Sequence, residues 1–161
     1  EESFLEHPDK IRQKKIPIIR IDRGGEVTFH GPGQIIAYPI FNLNHSSKDL
    51  KIFLRKLEEV VIDLLKYFGI VASRQNGYTG AWVGPRKIAS LGIGVKKWVT
   101  YHGMGLNVNT DLGFFSMIKP CGLDVKMTSM AQELGLPVDC NEVKKRLIES
   151  FKKEFKLGVL G

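Results

Sequence analysis

GAWVGPRKIASLGIGVKKWVTYHGMGLNVN, residues 80–109, reads as three extended segments in succession, around 80–83, 87–95 and 99–109. Gly84-Pro85 and Lys96-Lys97 stand at the junctions, where glycine, proline and charge punctuate regular structure. Connections this short leave no room for a crossover helix, so neighbouring segments must run antiparallel. A further short extended segment is expected at 70–73. Farther upstream, residues 34–41 (QIIAYPIF) read as a strand in which Pro39 marks an edge or a bulge. Residues 16–21 (IPIIRI) form another β-branched run, stopped by Arg23-Gly24-Gly25.

Between these strands lies a different period. Leu50, Phe53, Leu54, Leu57, Val60, Val61, Leu64, Leu65 and Phe68 recur at three- and four-residue steps, the apolar stripe of a helix lying on a core. Ser46 with Asp49 resembles a capping box at its start, and Gly69 marks its end. A short helix is expected at 127–134 with Thr128 as cap and Gly135 after it. A last helix begins near Asp139, with Glu142 three residues on, and buries Val143, Leu147, Ile148, Phe151 and Phe155. The lead-in, 1–13, is polar and helical or loose. The sum is an α+β fold: a mixed, mostly antiparallel sheet backed by helices.

At 161 residues, 43% of them hydrophobic and 25% charged, the chain can bury one substantial core, and it is read as a single domain over 1–161. No apolar run reaches the length of a membrane span, and the first residues are too polar for a signal peptide, so a cytoplasmic setting is expected. Two cysteines, Cys121 and Cys140, are too few for a disulfide framework. A net charge of +7 suits an acidic partner. The basic residues are scattered and carry no nucleic-acid recognition motif, so neither nucleic acid nor membrane is expected as a partner.

Chemistry concentrates in three places. RGGEVTFHGPGQ, residues 23–34, is too rich in glycine and proline for regular structure, but it lets backbone approach a ligand closely; a tight connection between strands is the competing reading. In GPRKIASLG, residues 84–92, Lys87 heads an apolar run that draws its stem toward the core. Apolar surroundings favour a lysine's neutral form, which suits proton transfer, although a lysine can also snorkel to solvent. Pro120-Cys121-Gly122 places a thiol in a turn, and because only the thiolate is a useful nucleophile, a neighbouring base is required. Lys87 is the candidate. Cys140, at a helix start, reads as inert. His102-Gly103-Met104-Gly105 echoes His30-Gly31-Pro32-Gly33, and His30, His102 and Cys121 lack the close paired spacing of metal sites, so no metal is expected.

RGGEVTFHGPGQIIAYP, then GPRKIASLGIGVKKWVTYHGMGLNVNTDLGFF, then IKPCGL resemble the lipoyl(octanoyl) transferases in order, spacing and residue type, over nearly the whole of residues 16–136. The resemblance implies a fold like the catalytic module of biotin and lipoate protein ligases. It implies transfer of an octanoyl group from octanoyl-acyl carrier protein to a lysine of lipoyl-dependent proteins, through a thioester on Cys121, with Lys87 tuning the thiol. It further implies substrate contacts from Arg23, Gly24, Gly25, Glu26, Val27, Thr28, Phe29 and His30, from Ser90, Leu91 and Gly92, and from Gly103, Met104 and Gly105. Val27, Phe29, Leu91 and Met104 are the apolar residues expected to wall an acyl tunnel. Acceptors would be lipoyl domains of 2-oxoacid dehydrogenases and the glycine cleavage H protein. No cofactor is implied, because the substrate arrives activated as a thioester. The family has a further N-terminal segment, which is expected to precede the residues given. The rival reading is an ATP-dependent lipoate or biotin ligase of the same fold, which needs no nucleophilic cysteine.

Overall fold

The computed structural model describes residues 8–25, 27–45, 48–118 and 125–157. Its centre is a five-stranded sheet in the order β1-β5-β4-β3-β2, antiparallel throughout: β1 Gln34–Ala37, β2 Ser73–Gln75, β3 Tyr78–Val83, β4 Arg86–Lys96 and β5 Val99–Asn107. Among the described residues four helices accompany it, α1 Pro8–Gln13, α2 Leu50–Tyr67, α3 Met130–Leu134 and α4 Cys140–Phe155, with 3-10 turns at Leu43–His45 and Leu112–Met117. Helices α2 and α4 cover one sheet face. There Phe53, Leu57, Val60, Val61, Leu64 and Leu65 of α2 meet Ile35, Ala81, Ile88, Ala89, Leu91, Met104 and Leu106 of the sheet. The opposite face carries residues 16–25 and 27–31, α1 and the 112–117 turn, gathered on a smaller cluster around Ile11, Phe115, Met117 and Ile118.

The three segments of 80–109 are β3, β4 and β5, and the sheet is wholly antiparallel. Other expectations shift. Residues 16–21 are not a strand: among the described residues no strand runs alongside them to take up their backbone groups, and Pro17 offers no N–H. Ile16 and Ile18 instead pack on the smaller cluster, while Ile19 and Ile21 are exposed. The strand at 34–41 ends at Ala37, because Pro39 has no N–H to give the ladder. Thr100 bridges the gap, its hydroxyl donating to Pro39 O and accepting from Phe41 N, each at 2.8 Å. The extended segment expected at 70–73 begins only at Ser73.

Helix starts are set by single side chains. Asp49 is itself the N-cap of α2, accepting from Lys51 N at 2.8 Å and Ile52 N at 3.1 Å; Ser46 lies outside the described residues. Asp49→Ala is expected to lower stability by about 1 kcal/mol, read as a shift in the chemical-denaturation midpoint. Ser129, not Thr128, caps α3, because the Thr128 hydroxyl is turned to Glu133. Asp139 caps α4, whose Glu142 pairs with Arg146. Ile148 is exposed, contrary to the expected buried face: α4 buries Val143, Leu147 and Ser150, and Ile148 lies one residue, about 100°, around from Leu147.

Candidate active site

A slot runs between the free sheet face and the strap of residues 21–25 and 27–30, with about 520 Å³ of space including its open side. The strand register explains its floor. Ser90 lies opposite Gly105 and Gly92 opposite Gly103, so one face of β4 and β5 carries almost no side chains, while their neighbours Ala89, Leu91, Met104 and Leu106 point into the core. The missing side chains are occupied space. A Cβ on Gly92 would fall 2.6 Å from Gly24 O, and one on Gly103 would fall 2.2 Å from Ala37 O. The strap is tied to this floor by Gly24 N donating to Ile93 O at 3.0 Å.

Lys87 reaches the slot because of a bulge. Trp82 pairs with Lys87, yet Ala81 pairs with Ala89, so β4 carries one extra residue at Ile88. Ile88 and Ala89 both face the core, and Lys87 and Ser90 are left on the slot side. Lys87 is only 1% exposed. Its Nζ sits 5.4 Å from the centre of the Trp82 ring, and Gly80, at φ +138°, provides the room: a Cβ there would lie 2.6 Å from Lys87 Cε. Glu58, buried on α2, accepts from Gly80 N at 3.0 Å and from Arg55 and Arg74 at 2.7 and 3.1 Å, holding that turn of β3 against the helix. On the other flank, Lys87 N donates to Lys126 O at 2.8 Å and Thr128 N donates to Lys87 O at 2.9 Å. The adjacent Arg86 makes a two-point pair with Glu133 at 3.0 and 2.9 Å. Burial raises the Glu133 carboxyl's pKa, but the hydrogen bonds from Arg86 and Thr128 outweigh it and hold the group below the usual range.

Arg23, Gly25, Val27, Thr28, His30, Lys87, Ser90, Leu91, Gly92, Gly103, Met104 and Gly105, all expected from the sequence, come together around this slot. Gly24 supports it through the bond to Ile93. Phe29 does not reach it: its ring stacks on Phe114 with centroids 4.7 Å apart, inside the smaller cluster. Glu26 and Cys121 lie outside the described residues. Three lining residues were not anticipated, Ile21, Tyr38 and His102. His102 had a signal in the repeated His-Gly pair. It takes φ +57° in β5, and its Nε2 lies 3.3 Å from Asp22 Oδ1. Tyr101 donates to Asp22 Oδ2 at 2.9 Å, and this bond, with the one to His102, holds the Asp22 carboxyl below its ordinary pKa. Among the described residues, no cluster of three or more His, Cys, Asp or Glu is placed to hold a metal, and no helix is long and apolar enough to cross a membrane.

The family described as the lipoyl protein ligase A/B catalytic domain matches residues 1–152. An octanoyltransferase of Caldanaerobacter subterraneus subsp. tengcongensis is 48% identical over 98% of this chain and 68% of its own length. One from Thermoanaerobacter sp. strain X514 is 49% identical over 89% of this chain, which spans 63% of that relative. The chain thus covers about two thirds of the curated relatives it matches. In fold it is similar to a bi-partite lipoate protein ligase from Thermoplasma acidophilum, with a TM-score of 0.75 at 20% identity, covering 96% of this chain and 63% of that one. It is also similar to the biotin protein ligase of Aquifex aeolicus, with a TM-score of 0.60 at 18% identity, covering 77% and 53%. At such identities the likeness is one of architecture.

Proposed function

Because this chain belongs to the lipoyl protein ligase A/B catalytic-domain family and stands among its octanoyltransferases, we propose that it moves an octanoyl group from a carrier-protein thioester to a lysine of a lipoyl-domain protein. Cys121 is the acyl carrier of this relay and Lys87 its proton partner. The observation that carries the reading is Lys87: a buried amine, sent by a bulge to the slot side of the sheet, where it lines the glycine-floored slot. Its backbone is laced to Lys126 and Thr128, which follow Cys121 closely in sequence.

The chemistry runs in two halves. Lys87 draws the thiol proton, and the thiolate attacks the incoming thioester; the new C–S bond forms, the old one breaks, and Lys87 protonates the departing thiol. Lys87 is then neutral and ready to take a proton from the nitrogen that attacks the acyl-enzyme. Backbone N–H groups along the glycine segments or beside Cys121 would stabilise the oxyanion. Val27 borders the chain, and the net charge of +7 suits steering toward acidic carrier and acceptor domains.

The experiment is peptide mass mapping after incubation with octanoyl-carrier protein. An octanoyl increment on the peptide containing Cys121, released by an acceptor domain without ATP, is expected. Transfer from free octanoate that requires ATP, with no such adduct, would replace this reading by that of a ligase.

A further inference from the structure

Proton arithmetic leaves a gap that a second slot residue fills. Thioester plus alkylammonium gives thiol, amide and one free proton. The acceptor nitrogen therefore sheds two protons on the way from ammonium to amide, whereas Lys87 takes up one. Among its described lining residues the slot holds the guanidinium of Arg23 and no carboxylate. The incoming ammonium thus needs a neutral acceptor in contact with solvent.

His30 lines the slot with an exposed ring, and a chain of hydrogen bonds shows which nitrogen provides the lone pair. Asn107, 1% exposed, donates through Nδ2 to the backbone oxygen of Thr128 at 3.0 Å, so its Oδ1 is the atom turned to Gln34. Gln34 Nε2 donates to that Oδ1 at 2.9 Å and to Phe29 O at 3.0 Å, which uses both of its protons. Gln34 Oε1 can then only accept, and it lies 3.1 Å from His30 Nδ1, so in the neutral ring Nδ1 carries the hydrogen. Nε2 is left as the basic nitrogen, on an exposed ring lining the slot. Gly105 admits this pose, because a Cβ there would stand 3.2 Å from His30 Cε1.

We propose that His30 Nε2 takes the first proton of the acceptor lysine's ammonium and passes it to solvent, with Gln34 and Asn107 as positioning residues that fix its tautomer. The neutral amine attacks the Cys121 thioester, the C–N bond forms, the C–S bond breaks, and Lys87 receives the second proton as the thiolate leaves. This inference rests on the acyl relay proposed above.

The test uses enzyme preloaded with octanoyl on Cys121 and two acceptors, a lipoyl-domain protein and hydroxylamine, whose nitrogen is already unprotonated at neutral pH. In His30→Gln, single-turnover transfer to the protein lysine is expected to fall about a hundredfold, with less than about threefold change toward hydroxylamine. Gln34→Ala should show the same asymmetry, about tenfold, together with loss of the Nδ1-protonated signature in the imidazole ¹⁵N spectrum of His30. Equal losses with both acceptors, no loss with either, or a wild-type ring protonated at Nε2 would overturn the role. Failure of wild-type enzyme to load any acyl group would instead bring down the relay itself, and this role with it.

Discussion

Lys87→Met is expected to lower octanoyl transfer roughly a thousandfold, within the range that general acid–base catalysis contributes, while the protein stays folded. The two halves of the expectation have separate causes. In the proposed relay Lys87 is the proton partner of both half-reactions, so its loss would slow thiolate formation and leave the attacking nitrogen without its final acceptor. The fold loses little, because the side chain is 1% exposed, lies against the Trp82 ring, and is matched in length by methionine, which needs no hydration. Steady-state transfer, the rate of Cys121 alkylation at neutral pH and a thermal melt check the three parts. Transfer within tenfold of wild type would remove Lys87 from the chemistry.

The second large effect is on stability. Glu58→Ala should cost about 3 kcal/mol, because it strands the N–H of Gly80, a penalty of about 1–3 kcal/mol, and empties volume under the sheet. Arg55 and Arg74 are both partly exposed and can return to water, so they add little. For a domain of this size the melting temperature should fall by roughly 6–12 °C. Glu58→Gln, which keeps an oxygen for Gly80, should lose about 1 kcal/mol. Equal losses for the two variants would show that charge, rather than the bond to Gly80, is what matters.

What the sequence displays well are patterns a segment carries within itself. The stripe from Leu50 to Phe68 needs no partner to be seen, and the breaks at Gly84-Pro85 and at Lys96-Lys97, the latter folding as a turn at Lys97-Trp98, announce antiparallel pairing locally. Features that depend on a neighbour are hidden. Residues 16–21 have the composition of a strand but, among the described residues, no strand alongside to pair with. Phe29 sits in the middle of the glycine-rich stretch 23–34 and still turns to Phe114. Ile21 and Tyr38 line the slot only because the strap and the sheet edge meet there, a juxtaposition that no local pattern encodes. The glycines were legible as a group, whereas the stripe they form on one face became visible only with the β4–β5 register.

The side of the sheet that Lys87 serves is decided by counting rather than by attraction. Two successive residues, Ile88 and Ala89, are assigned to the oily side, and parity then sends the amine across. If β4 were redrawn with strict alternation back from Ser90, Ile88 and Lys87 would exchange places. Every residue type would be retained and the chemistry would still be gone, so a comparison by composition alone would not detect the difference.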